Sequence, residues 1–218
     1  MVGVLIASKE EFKVLLEVYN IGDNSLEKYP YGEYYRTTFH NKDIVFFRSG
    51  SRKTMASGSV QYMIDKFDIK ELYVLGTASA SSELLSYQDI FIPEYVVDYD
   101  FIIRDIDDEI KEEYLIKNNI PNISLDYKTG ILGSSDRALV TWKDLTYLAS
   151  QNVDASDMES APILKICNLN NVKCTIIKGV TDKPIKGKDG FDEQVDVYEY
   201  NLKIVMKNLI ENYLSEVI

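Results

Sequence analysis

The chain opens on an apolar run, "VGVLIA" (2–7), too short and too uniform for a helical stripe, which predicts a buried strand. The next stretch, "SKEEFKVLLEVY", changes period. Phe12, Leu15, Leu16 and Tyr19 fall on one face, Ser8 stands at a capping position, and Glu10 and Glu11 occupy the first turn, so a helix is expected. "YGEYYRTTF" and "KDIVFFRSG" predict a β-hairpin around His40-Asn41-Lys42. "SRKTMASGSVQYMIDKF" mixes small and apolar residues and predicts a helix packed closely on a sheet. "ELYVLGTASAS" reads as a strand running into a small-residue loop. In "DIFIPEYVVDYDFII" Pro93 requires a bend or an edge.

The alternation continues to the end. Residues 107–118 are expected to be helical, with the acidic residues of "RDIDDEIKEEY" gathered at the helix start. "SLDYKTGILGSS" returns to strand, and "TWKDLTYLAS" predicts a short helix capped by Thr141. "MESAPILKICNL" predicts a helix that tolerates Pro162 in its first turn. "KCTIIKGVTD" is again a strand, and residues 190–218 predict one long closing helix with Val197, Leu202, Val205, Leu209 and Leu214 along one side. Strands alternating with helices, without linker or repeat, predict a single α/β domain over residues 1–218, with a central mixed β-sheet flanked by helices.

Composition narrows the function. A net charge of −11 disfavours a nucleic-acid partner, since phosphate tracking needs clustered Lys and Arg. No stretch approaches the roughly 18 apolar residues of a membrane span, and the first residues lack the basic start of a signal peptide. Cys167 and Cys174 lie in apolar surroundings and suit buried free thiols in a reducing cytosol. A single histidine, His40, makes a His-rich metal site impossible and zinc catalysis improbable.

Three acidic residues stand where a surface charge is not the obvious explanation. Glu11 follows the first strand, Glu159 in "DMESAP" precedes an apolar helix, and Asp182 ends the strand "CTIIKGVTD". Each alone has a plain structural use, as a helix-start carboxylate or a turn residue. Taken singly, that structural use outweighs a chemical one, although strand ends in α/β sheets are also where ligands sit, which makes the Asp182 carboxyl a candidate reagent.

With their flanks these residues form a wider pattern: "VGVLIASKEEF", "RSGSRKTMASG", "LGTASASSELLSYQDIFIPEYVVDYD", "LGSSDRAL", "DMESAPILKICNLNNVKCTIIKGVTD" and "GFDEQ", in order along nearly the whole chain. The pattern resembles the nucleoside phosphorylase and nucleosidase superfamily, and most of all its methylthioadenosine/S-adenosylhomocysteine nucleosidases. The specific part is the Met-Glu-Ser helix start followed by a strand ending in Thr181-Asp182. The resemblance implies a nucleoside phosphorylase-like fold, a small-molecule purine nucleoside as ligand, no metal or organic cofactor, a homodimer and a cytoplasmic location. It makes Asp182 the acid that protonates the leaving base, Glu11 the residue that activates water, and Glu159 the acceptor for the ribose hydroxyls. Met158 would pack on the sugar, backbone near Leu139 would read the purine edge, and Phe191 would cover the pocket. Thr77, Ala78 and Lys178 would complete the substrate-binding set.

Hydrolysis is favoured over phosphorolysis. Phosphorylases of this kind carry an arginine three residues before the Thr77 position, and here that residue is Val74. The alternative is a phosphate-dependent purine nucleoside phosphorylase, with Arg52 and Lys53 of "RSGSRKT" holding the anion. A non-catalytic nucleoside binder is the third reading. It is prompted by Ala138, which stands where the nucleosidases carry an aromatic ring, and by the non-glycine run 78–81. Lys178 likewise replaces the family's arginine and lacks its fork geometry.

Overall fold

The computed structural model describes residues 1–100, 111–138, 141–187 and 195–218. Its elements, in chain order, are β1 (Val2–Ile6), α1 (Lys9–Val18), β2 (Glu27–Tyr29), β3 (Gly32–Phe39), β4 (Lys42–Arg48), α2 (Lys53–Phe67) and β5 (Glu71–Ala80). There follow β6 (Ile90–Phe91), β7 (Tyr95–Asp98), β8 (Leu115–Lys117), β9 (Ile131–Ser134), α3 (Trp142–Ser150), β10 (Ala155–Asp157), α4 (Ser160–Leu169), β11 (Lys173–Asp182) and α5 (Val195–Asn208). A π-helical turn over Leu209–Tyr213 and a last helix, α6 (Leu214–Val217), close the chain.

All the strands join one mixed sheet of order β2-β3-β4-β1-β5-β10-β9-β7-β8, with β11 on β5 and β6 on β11. Period-two alternation divides its apolar residues between two faces. Leu5, Val45, Phe47, Val74 and Ile176 face α2 and α4, packing with Val60, Met63, Ile163 and Leu164. Val4, Ile6, Phe46, Leu75 and Ile177 face α1 and α5, packing with Phe12, Leu15, Leu202 and Val205. The expected α/β sheet with helices on both sides is therefore what the chain forms.

Local chemistry accounts for several boundaries. Ser8 and Glu11 form a reciprocal capping box at the start of α1, with both hydrogen bonds at 3.1 Å. Thr141 caps α3, and Pro162 falls in the first turn of α4. His40 and Asn41, at φ of 49° and 62°, make the tight turn of the β3–β4 hairpin.

Three expectations require correction. The run Gly76–Ala80 is not a loop: β5 continues through it, because β11 offers a parallel partner as far as Ser79. Within 107–118, the described part is a short 3₁₀ turn at Glu112–Tyr114 followed by strand β8, since Leu115 and Ile116 pair with β7. Residues 107–110 lie outside the described residues. The closing helix is not one regular α-helix but is interrupted by the π turn at Leu209–Tyr213, and within 190–194 the expectation again falls outside the described residues.

What positions the site is the unequal treatment of the two edges of β5. Strand β11 follows one edge from Glu71 to Ser79. On the other edge β1 stops at Ile6, opposite Leu75, and β10 takes over only at Ser79 and Ala80. The backbone of Gly76, Thr77 and Ala78 is thus left without a strand partner on that side. A crevice opens there, at the carboxyl ends of the parallel strands β1, β5 and β11, where such sheets bind ligands.

Close packing of β11 on α5 makes one residue intolerant of enlargement. A Cβ on Gly179 would lie 2.5 Å from Val205 Cβ. Gly179→Ala is expected to destabilise the protein by about 1–3 kcal/mol in urea unfolding, and Val205→Ala in the same chain to recover part of the loss. Equal stability of Gly179→Ala and the parent would contradict this packing.

Candidate active site

A cavity of about 690 Å³ occupies the crevice, and Glu11, Asp157, Glu159 and Asp182 all line it. Each carboxyl is brought there by a different element. Glu11 is buried, and its capping-box contact with Ser8 uses only Oε2. Oε1 accepts the Thr77 N–H at 2.7 Å, satisfying the β5 backbone where no strand pairs with it. The residue that starts α1 thus also holds the edge of β5, and it keeps lone pairs free toward the cavity.

Asp182 is placed by a register shift. Val180 pairs with Ala78 but Asp182 with Ser79, so Thr181 is the extra residue of a bulge, which re-aims the next side chain. The Ser79 and Thr181 hydroxyls each donate to the Asp182 carboxyl at 2.7 Å. Asn201 of α5 fixes this terminus from behind by donating to the Thr181 carbonyl at 2.9 Å. Burial raises the pKa of Asp182, partly opposed by the two hydroxyls.

Glu159 stands at the N-cap position of α4 but does not cap the helix with its side chain. Its Oε1 instead accepts the Arg52 N–H at 2.7 Å. Arg52 adopts φ +75° to present that N–H, a conformation that costs a non-glycine residue ~1–3 kcal/mol and marks sites where geometry outweighs strain. Burial, then the neighbouring Asp157, push Glu159 up to about 7, against the opposing pull of Lys178.

The remaining expected residues divide into three groups. Met158, Thr77 and Ala78 line the cavity. Lys178 is buried beneath the crevice rather than lining it, with its ammonium 2.9 Å from Asp157 Oδ2. Burial lowers its pKa, yet Asp157, Glu159 and Glu11 together hold it above the usual lysine range. Leu139 and Phe191 lie outside the described residues. The cations considered for phosphate are committed or displaced. Lys53 is bound by Asp98 and, at 2.9 Å, by Asp100. The Arg52 side chain is exposed and outside the lining, and the nearby Arg48, a further cation of the same motif, pairs with Glu33 at 2.7 Å. Ala138 does line the cavity, beside Arg137.

Sequence reasoning passed over Asp157, Ser79 and Tyr198. Ser79 was hidden by reading β5 as a loop. Tyr198 lies within the closing helix, yet it lines the cavity and its phenol hydrogen-bonds Thr77; burial raises its pKa further out of the titrating range. Asp157, two residues before Glu159, carried a signal in its spacing: both carboxyls flank the start of one helix.

A mixed sheet enclosed by helices, with carboxyls gathered at the ends of its parallel strands, defines an α/β ligand-binding architecture with acid–base capacity. The chain belongs to the phosphorylase superfamily, whose family model matches residues 1–214. Among its relatives, a 5'-methylthioadenosine/S-adenosylhomocysteine nucleosidase of Buchnera aphidicola is 24% identical, over 99% of this chain and 98% of that protein. An aminodeoxyfutalosine nucleosidase of Campylobacter jejuni is 26% identical, over 89% of this chain and 91% of its own length. The fold matches that of Helicobacter pylori 5'-methylthioadenosine/S-adenosylhomocysteine nucleosidase crystallised with butyl-thio-DADMe-Immucillin-A. The TM-score is 0.83 at 18% identity, covering 99% of this chain and 97% of that one. The resemblance found in the sequence motifs is thus borne out at the level of superfamily and branch.

Because the Glu159 pKa rises from 4.5 in the unfolded chain to about 7 in the fold, ionising it favours unfolding. Stability is therefore lost as pH climbs through that window. Glu159→Gln lacks this penalty, so its melting temperature relative to the parent is expected to increase between pH 5 and pH 8. A difference that shrinks over that range would contradict the burial of an ionisable carboxyl here.

Proposed function

We propose that the chain hydrolyses the N-glycosidic bond of an adenine nucleoside modified at its 5' position. The observation that carries this reading is the pairing of a buried acid at the β11 terminus with an oriented carboxyl, Glu11, across one cavity. Expelling a purine requires a proton on the departing base and relief of positive charge building on the sugar, and carboxyl groups meet both demands. Asp182 is the acid: burial raises its pKa, which favours proton donation, and the Ser79 and Thr181 hydroxyls steer it. Glu11 takes a proton from water that attacks the anomeric carbon. Glu159, ionised, accepts the ribose hydroxyls while Met158 packs against the sugar. A group able to act as acid also speaks against a mere binder.

Electrostatics supports water over phosphate as the nucleophile. Seven carboxyls line the cavity, Glu10, Glu17 and Glu199 exposed among them, and the ammonium below it already faces three of the inner ones, Asp157, Glu159 and Glu11. A phosphate dianion brought there would meet net negative charge without the paired arginines it needs. The lining cations Lys13, Arg137 and Lys203 are exposed, so they sit at the mouth. Val74, in the position of a phosphorylase arginine, is buried in the core.

The names of the relatives make 5'-methylthioadenosine, S-adenosylhomocysteine and aminodeoxyfutalosine the substrates to test first. A cytosolic homodimer completes the reading. Cys167 and Cys174 are buried and unbridged, as a reducing compartment allows. Helix α2 exposes Met55 and Tyr62, apolar surface of the kind a second copy would cover. Sedimentation should give twice the chain mass; a monomer would remove that part.

Chromatography of free base released in phosphate-free buffer tests the reaction. Asp182→Asn is expected to lower kcat by ~10²–10⁴-fold with little change in melting temperature. Glu11→Gln should damage kcat more than KM. In the parent, kcat/KM should fall below about pH 7 as Glu159 takes up a proton in the free enzyme. Adenine release by Asp182→Asn at the parental rate would overturn the mechanism.

A further inference from the structure

Glu159, at the N-cap position of α4, makes no side-chain capping bond, and Asp157 instead accepts the N–H groups at that helix start. Asp157 Oδ1 accepts the N–H groups of Glu159 at 3.4 Å and Ser160 at 3.2 Å. Asp157 Oδ2 accepts the Ser160 N–H at 3.2 Å and the Ser160 hydroxyl, and lies 2.9 Å from Lys178 Nζ. The two charged side chains are almost wholly excluded from water, at 2% and 3% exposure, so their attraction is poorly screened. One carboxylate thereby accepts the N–H of the first residue of α4 and engages the ammonium that acts on Glu159.

We propose that Asp157 is a positioning residue: it retains the Lys178 ammonium and caps α4, leaving the Glu159 carboxyl free to face the cavity. The sugar-binding role of that freed carboxyl rests on the function proposed above; the arrangement itself does not. Four groups act on Glu159 from the elements around it. They are Asp157 at the end of β10, Lys178 in β11, Glu11 in α1 and the Arg52 N–H before α2. Remove the charge of Asp157, and the ammonium has Glu159 as a remaining partner. Glu159 is then drawn into an ion pair and loses its availability to ligand hydroxyls.

The test is a carbon-13 NMR titration of the Glu159 side-chain carboxyl in the ligand-free protein, in the parent, Asp157→Asn and Ser160→Ala. Asparagine still caps a helix but carries no charge, so Asp157→Asn isolates the electrostatic role. The parent midpoint should lie near about 7. Asp157→Asn should move it down by roughly one pH unit or more, as expected when a like charge is removed and an opposite charge turns toward the group. Ser160→Ala, which keeps the charge and loses one hydroxyl contact, should leave it in place. The acid limb of kcat/KM should move with the midpoint. If Asp157→Asn does not fold, Asp157→Ser, another uncharged cap, should show the same downward movement.

A midpoint unmoved in the uncharged variants, or moved equally by Ser160→Ala, would overturn the proposal. The titration needs no substrate, so a protein inactive on nucleosides would still report on Asp157. Normal nucleoside cleavage with an unmoved midpoint would sink this inference alone.

Discussion

The site depends on one buried ammonium. Lys178 lies in the middle of β11 with almost no solvent contact, which by itself would drive it toward neutrality. Asp157, Glu159 and Glu11 reverse that tendency, and in return the ammonium lets three buried carboxyls lie close together. Breaking such a set by removing the cation costs ~3–5 kcal/mol, because the partners left behind are unpaired and desolvated. The balance still leaves the crevice negative. That excess charge suits a reaction that builds positive charge on a sugar, and it is hostile to an attacking dianion.

The backbone cooperates with this charge arrangement. The segment of β5 that lacks a strand on one edge needs an acceptor for the Thr77 N–H, and Glu11 supplies it. Arg52 adopts a strained φ to give its N–H to Glu159. The bulge at Thr181 turns Asp182 toward Ser79. At each of these three points a local irregularity of the sheet or helix is satisfied by a carboxyl that faces the cavity. The groups that satisfy the fold are those the proposed chemistry would use, which places the site where the sheet changes partners.

Much of this was legible in the chain. The switch from the run 2–7 to the spacing of Phe12, Leu15 and Leu16 marks β1 and α1, and Ser8 with Glu11 announces the capping box. The alternation of strands and helices, together with the "DMESAP" and "GVTD" motifs, points to the architecture and to the three carboxyls. Other features were hidden for physical reasons. Gly76–Ala80 lacks the bulky residues that signal a strand, and only the tertiary partner β11 makes it one. The apolar pair Leu115-Ile116 fits a helix stripe as well as a strand until β7 is there to receive it. Lys53 reads as a free cation because Asp98 and Asp100, which bind it, lie more than forty residues further along the chain. The role of Asp157 depends on Lys178, again a contact that local sequence does not carry.

The most direct measurement is proton and phosphorus NMR of the products formed from 5'-methylthioadenosine in phosphate buffer. The charge balance of the crevice predicts free adenine, a sugar with an unesterified anomeric hydroxyl, and no new phosphorus resonance. A sugar 1-phosphate accumulating in step with adenine would contradict the account, because it would mean that a dianion enters and reacts in a cavity lined by seven carboxyls.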